Sequence, residues 1–393
     1  MQKISQLLIV LLLAVFPTGE LLRIKIYENV YITPQDFIVF ILFILVAYKF
    51  VTDKIKPKFA DFFMLQLIFI SLGVLSLVIN CFFNTEYNFQ VSLLYAIRYL
   101  MYLCILFYPL LIGNKLNVNN LIFLSGGAVV LIGIPQFFFY NNLRNLFYLG
   151  WDDHLYRLFS TFLDPNFVGL FYVLYLGLLI GRIFKKGWNK AYFEVIFMFL
   201  TFISIYLTYS RSALIALFTF VISLSLLCKK IKLIFFALPI LIFFIFVFSD
   251  FGTEGLNPLR TASSRDRIMS ISNAGVIIKD NFIYGVGFNS FRYAQLKYGL
   301  RNEWGAALSN ADAGTDNGLL FVFATTGIIG LIVFIISYYR MFKNLYEEKT
   351  YESKVCIASL LALFSGGFFI NSLFYIPIMT FILLVLAFKS SKS

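Results

Sequence analysis

Long apolar runs alternate with short polar segments along almost the whole chain. Twelve such runs occupy roughly 4–22, 37–51, 62–83, 91–113, 121–140, 165–184, 191–209, 212–228, 233–249, 317–339, 355–370 and 372–388. Most approach the roughly 20 residues that a helix needs to cross about 30 Å of hydrocarbon. The predicted fold is all-α: a polytopic transmembrane helix bundle of about 12 spans, forming a single integral membrane domain over 1–393. The sizeable loop of that domain is 250–316, between spans nine and ten, where helix-like apolar spacing at 266–279 predicts a short cap. The first run is short unless it continues through Pro17 to Leu22. The stretch 191–228 is too long for one crossing, at roughly 57 Å if helical throughout. It must turn back near Tyr209-Ser210-Arg211-Ser212 without glycine or proline.

Charge then orients the bundle. With a cytoplasmic N-terminus, alternate loops receive 17 of the 20 lysines, as positive-inside topology requires, and an even span number returns the C-terminus to the same side. The opposite side, with Arg98 inside a span, receives 10 of the 12 arginines. Topology does not call for those arginines. Guanidinium keeps its charge and grips phosphate bidentately, so they point to a phosphate or pyrophosphate site on the extracytoplasmic face. A 60% hydrophobic chain excludes a soluble domain, and topology accounts for most of the +12 net charge, so no nucleic-acid partner is implied. The four cysteines have neither metal-ligand spacing nor a disulfide framework and read as packing residues. Pro17-Thr18-Gly19-Glu20 follows the first apolar run where a signal peptide would show small residues, so an uncleaved first span is expected.

Several residues stand out as candidate chemistry. A charge in the hydrocarbon costs about 2.5–3.5 kcal/mol, so Arg98 must face a partner or a wet cavity. No acid is evident in the sequence at matching depth, which leaves an ion pair, snorkelling and substrate binding open. Arg211 lies in an outer turn, where a topological anchor would oppose the preferred orientation. The large loop adds Arg260, Arg265, Arg267, Arg292 and Arg301, and the smaller outer loop 141–164 adds Arg157. Asp164-Pro165-Asn166 and Thr315-Asp316-Asn317 each open a span from the outer face, so both helix N-termini point toward the arginines. Helix capping is the expected role of Asp164, whereas capping and acid/base work stand level for Asp316. Gly285-Val286-Gly287 reads as a turn rather than a phosphate cradle. His154 is the single histidine and the carboxylates show no paired spacing, so a site free of metal and cofactor is expected.

These segments, in this order, resemble the bacterial O-antigen polymerase and ligase family of polytopic membrane glycosyltransferases. The resemblance covers roughly residues 150–340. It rests on Phe162-Leu163-Asp164-Pro165-Asn166, Thr208-Tyr209-Ser210-Arg211-Ser212 and Ser264-Arg265. It continues through Tyr284-Gly285-Val286-Gly287, Asp316-Asn317-Gly318-Leu319-Leu320 and Gly327-Ile328-Ile329-Gly330. It implies an enzyme of the bacterial cytoplasmic membrane whose substrate is an undecaprenyl pyrophosphate-linked oligosaccharide. It also implies that Arg211 and, best by position, Arg265 bind the pyrophosphate, with Arg267 close enough to contest the second role. Asp316 is the third residue assigned to catalysis; Arg98, Arg157, Arg267, Asp164, Asn166 and Asn317 are assigned to substrate binding. Asp316 stands where the ligase branch typically carries a histidine, which favours a polymerase joining lipid-linked repeat units into a surface polysaccharide. A ligase with a different acceptor and a flippase of lipid-linked glycan are the alternatives. Membrane lipid and a chain-length regulator are the further partners considered.

Overall fold

The computed structural model describes residues 1–27, 30–53, 59–83, 87–113, 116–230, 262–301 and 313–389. Helix dominates, with almost no sheet. The helices are α1 (Gln2–Val15), α2 (Pro34–Asp53), α3 (Ala60–Phe83), α4 (Phe89–Leu103), α5 (Pro109–Ile112), α6 (Val118–Phe139) and α7 (Pro165–Lys186). They continue as α8 (Tyr192–Leu207), α9 (Arg211–Leu227), α10 (Ala262–Asp280), α11 (Phe291–Lys297), α12 (Gly318–Glu347), α13 (Tyr351–Gly367) and α14 (Ile376–Phe388). Eleven of the twelve apolar runs carry helix; the ninth, 233–249, lies outside the described residues. Among the described residues six helices are long and apolar enough to cross a membrane, and α1, α8, α9 and α14 are shorter apolar helices. The chain is a helical membrane protein.

Inward faces follow from composition. α7 is buried around nearly its whole circumference and packs against α8, α9 and α13, while α12 lies along α3. Lysines gather at one end of these helices. Lys185 and Lys186 close α7, Lys229 and Lys230 follow α9, and Lys389 follows α14. There the buried Glu194 accepts from Arg182 at 2.9 Å and Lys186 at 2.5 Å. Glu348 accepts from Lys389 at 2.5 Å, tying the end of α14 to the α12–α13 junction.

Two features depart from the sequence reading. The first run is not helical to Leu22: α1 ends at Val15, a 3₁₀ turn covers Phe16–Thr18, and a small antiparallel hairpin pairs β1 (Ile24–Tyr27) with β2 (Val30–Ile32). The reversal expected near Tyr209 is present, between the end of α8 at Leu207 and the start of α9 at Arg211, with Tyr209 held at φ +48°, a conformation costly for a bulky side chain. Finally, part of the segment read as an outer loop enters the bundle. Residues 282–288 run beside α12 where that helix breaks at Gly327 (φ +66°). The Val286 and Gly287 amides donate to Ala324 O and Thr325 O, the Ile328 amide donates to Phe282 O, and the Phe288 amide donates to Gly73 O in mid-α3. Gly73 lies ten residues from the end of α3, about 15 Å along the helix. Irregular backbone at such a depth persists only where protein satisfies it, and here every one of these bonds is internal. The glycine motifs are explained by this contact. A Cβ at Gly285 would fall 2.5 Å from Thr325 C, and one at Gly327 would fall 2.1 Å from Ile283 O.

Candidate functional site

A cavity of about 790 Å³ opens at the helix ends opposite the lysines. The first turns of α7 and α12 border it, as does the segment leading into α14. Its walls carry Arg23, Arg98, Arg157, Arg267, Arg292 and Arg301. The carboxylates on the same walls are Glu20, Asp152, Asp164 and Asp316. Arginine-rich walls at helix N-termini suit a polyanion, through the free amides and the helix dipole.

The floor around α7 is built by short polar side chains. Asp164 caps α7, with Oδ1 accepting the Asn166 amide at 2.6 Å and the Phe167 amide at 3.3 Å. Its other oxygen lies 3.8 Å from His154 Nε2. Burial pushes the Asp164 carboxyl above the usual range, while the two amides, Arg157 and Arg267 pull it back. Arg157 is almost completely buried. It donates to Thr208 O at 2.9 Å and to Asn166 Oδ1 at 3.2 Å, and Ser210 Oγ donates to the same Asn166 oxygen at 3.0 Å. Ser210 in turn caps α9 through the Ala213 amide. The polar motifs at 164–166 and 208–212 thus form one hydrogen-bonded unit that holds the strained Tyr209 turn.

Across the cavity, Asn317 caps α12 by accepting the Leu319 and Leu320 amides, each at 3.0 Å. Capping therefore belongs to Asn317, and Asp316 lines the cavity. The Asp316 amide donates to Ser270 Oγ of α10 at 3.1 Å, which fixes α10 against the entrance of α12. Arg267, one turn earlier on α10, is half-buried and electrostatically coupled to Asp316, Arg211 and Asp164. Burial and Arg211 disfavour its charge, whereas Asp316 and Asp164 restore it; guanidinium stays protonated throughout.

The sequence-predicted residues fall into three groups. Asp316, Arg267, Arg157, Asp164, Asn166 and Arg98 come together around the cavity. Arg211, the first residue of α9, lies close enough to Arg267 to disfavour its charge but is not among the described lining residues. Arg265 and Asn317 are also absent from that lining; Arg265 is exposed on the other face of α10, 200° around the helix from Arg267. The geometry thus favours Arg267 over Arg265 as the loop arginine facing the cavity. Arg98 has the acid that the sequence did not reveal. Its Nε donates to Asp36 Oδ1 at 2.7 Å and its Nη2 to Asp36 Oδ2 at 2.8 Å. Tyr102 and the Thr33 amide complete the carboxylate's shell. Asp36 sits at the third position of α2, and its carboxylate accepts both the amide and the hydroxyl of Thr33.

Sequence reasoning missed the hairpin side of the cavity. Glu20, Arg23 and Tyr31 line it, although Arg23 was visible among the outer arginines. Outer-loop aromatic rings could stack on sugars, and of Tyr148, Trp151, Tyr156, Tyr284, Phe288, Phe291 and Trp304 in the segments read as outer loops, Trp151 and Phe288 line the cavity. Phe291 is buried in the bundle, Tyr148, Tyr156 and Tyr284 are exposed away from the described lining, and Trp304 lies outside the described residues. Among the described residues no group of three or more His, Cys, Asp or Glu could hold a metal ion.

Residues 196–335 match the O-antigen ligase family. That match supports an O-antigen polymerase/ligase family for the chain, a family of glycosyltransferase-like membrane enzymes. It covers about a third of the sequence and runs from α8 into α12, so it includes Arg211, Arg267, Asp316 and the paired glycine motifs. Arg157 and Asp164, which complete the cavity, lie before it. No curated protein matches the chain.

Proposed function

We propose that the protein is a polymerase that joins undecaprenyl pyrophosphate-linked repeat units into a surface polysaccharide such as an O-antigen, capsule or exopolysaccharide. The observation that carries this reading is the pairing of Arg267 with Asp316 in one cavity bordered by the first turns of α7 and α12. In the reaction, an acceptor hydroxyl oxygen attacks the anomeric carbon and the bond from that carbon to the pyrophosphate oxygen breaks. The pyrophosphate leaves with the electron pair, and the hydroxyl proton passes to the Asp316 carboxylate. Charge grows on the departing group, so Arg267, with Arg211 behind it, stabilises the transition state more than the ground state. Arg157, Asn166 and Asp164 hold the floor in place. Lysines at the far helix ends support a cavity on the extracytoplasmic face of the cytoplasmic membrane, with both termini inside.

The description of the matched family favours a second reading, transfer of the glycan to a different acceptor. One experiment separates the two. Purified protein given only the undecaprenyl pyrophosphate-linked repeat unit is expected to yield a ladder of multiples, unchanged by chelator. Asp316→Asn is expected to abolish the ladder. If products appear only after a different acceptor is added, each carrying one transferred glycan, the polymerase reading gives way to the ligase.

A further inference from the structure

The hairpin wall has a chemistry that pyrophosphate binding leaves unused. Arg23 lies over the Tyr31 ring, its guanidinium carbon 3.7 Å from the ring centroid, and 5.5 Å from the centroid of Trp151. Glu20 sits 3.7 Å from Arg23 and pairs its charge. All four residues line the cavity. The wall is anchored at both ends. The Glu20 amide donates to Thr161 O at 2.8 Å, just before the Asp164 motif, and Arg98 reaches Tyr31 O at 3.4 Å. The guanidinium held over Tyr31 supplies N–H donors, and the neighbouring carboxylate supplies acceptors. Donor and acceptor side by side match the vicinal hydroxyls of a pyranose, and Trp151 offers a flat apolar surface to the sugar's C–H face. Charge does not call for an anion here, because the Arg23–Glu20 pair is neutral overall.

We propose that Glu20, Arg23, Tyr31 and Trp151 form a saccharide subsite for an uncharged pyranose of the lipid-linked glycan, separate from the pyrophosphate-binding side at Arg267. The assignment rests on the glycan-transfer reading above and adds to it the residues that recognise the sugar. Burial, which pushes the Glu20 carboxyl upward against the pull of Arg23 and Arg98, is consistent with a group enclosed enough to discriminate between ligands.

The test compares two probes on full-length protein in nanodiscs: undecaprenyl pyrophosphate alone, and the undecaprenyl pyrophosphate-linked repeat unit isolated from the source bacterium. Wild type is expected to bind the second more tightly. Arg23→Ala and Trp151→Ala are expected to lose that advantage, about tenfold in Kd, and to hold undecaprenyl pyrophosphate within about twofold of wild type. Trp151→Phe keeps a stacking face and is expected to retain part of the advantage. Arg267→Lys is expected to weaken both probes together. If the Trp151 variants bind both probes as wild type does, or weaken both equally, the sugar subsite is wrong even where Arg267 behaves as described. If wild type binds neither probe better than phosphatidylglycerol, the glycan-transfer reading itself falls. Thermal unfolding of each variant checks folding, and Trp151→Phe decides the matter should Arg23→Ala fail to fold.

Discussion

The choice between Arg265 and Arg267 can be decided by substitution because the two sit on one helix and differ in little but direction. Both are arginines of α10, two residues and therefore about 200° apart. Arg265 is exposed, whereas Arg267 lines the cavity with Asp316 and is half-buried. Removing one preorganised donor from a developing oxyanion costs about 10²–10³ in kcat, or about 2.7–4 kcal/mol. Arg267→Ala is expected to fall in that range. Arg267→Lys keeps the charge but loses the planar fork, so a loss of about tenfold or more is expected there. Arg265→Ala removes a solvated charge and should change the rate by no more than about twofold, since surface charges contribute little. The assay is the initial rate of glycan transfer by purified protein in nanodiscs, normalised to folded protein. A loss for Arg265→Ala equal to or larger than that for Arg267→Ala would refute the assignment.

Three further substitutions probe the supporting structure. Asp36→Asn leaves Arg98 without its counter-charge, and breaking a buried pair of this kind costs about 3–5 kcal/mol, so folded yield should collapse; Asp36→Leu with Arg98→Met should recover much of it, and unchanged stability of Asp36→Asn would show that the pair contributes nothing. Gly285→Ala forces a Cβ to 2.5 Å from Thr325 C at φ +71° and should lower the unfolding temperature, whereas Gly275→Ala in open space on α10 should be neutral or stabilising; equal behaviour would dissolve the argued clamp. Asp164→Asn keeps the cap and removes a carboxyl whose folded-state pKa is raised. The folded state therefore holds that proton more tightly than the unfolded state, so this carboxyl's contribution to stability declines as pH rises from an ordinary value of about 3.9 through the raised one. The asparagine variant should lose that dependence and be no less stable than wild type at neutral pH, as thermal unfolding across pH would reveal.

Where a pattern is local, the sequence carried it. The apolar runs gave the helices because twenty consecutive apolar residues have few other ways to satisfy their backbone. Asp164 before Pro165 predicted its own cap, and the side chain does cap α7. The hairpin at 24–32 escaped notice because Ile-Lys-Ile-Tyr and Val-Tyr-Ile are too short to assert a period beside a longer hydrophobic run. The partner of Arg98 escaped for a different reason. Asp36 opens a helix, where an acid is expected for capping alone, and no spacing rule connects two residues 62 positions apart. Such pairings belong to packing, which a single sequence does not encode legibly.

The glycine motifs show how far the same limit extends into the site. Gly285-Val286-Gly287 reads as a turn, whereas Gly327, 40 residues beyond Gly287, enters only as part of the family resemblance. In the fold they are the two sides of one contact, with Val286, Gly287 and Ile328 amides exchanged across it. That contact carries chemistry indirectly. It breaks α12 nine residues after Gly318 and docks the chain that leads from α10 into the bundle, with Phe288 and Asn289 emerging on the cavity wall. The Asp316 amide donates to Ser270 Oγ of α10 at 3.1 Å, so Arg267 and Asp316 are held by one path through α10, the clamp and α12. A residue with a side chain at Gly285 would displace that path without touching either group. The glycines of the motif thus act on the arginine and the carboxylate through backbone registration.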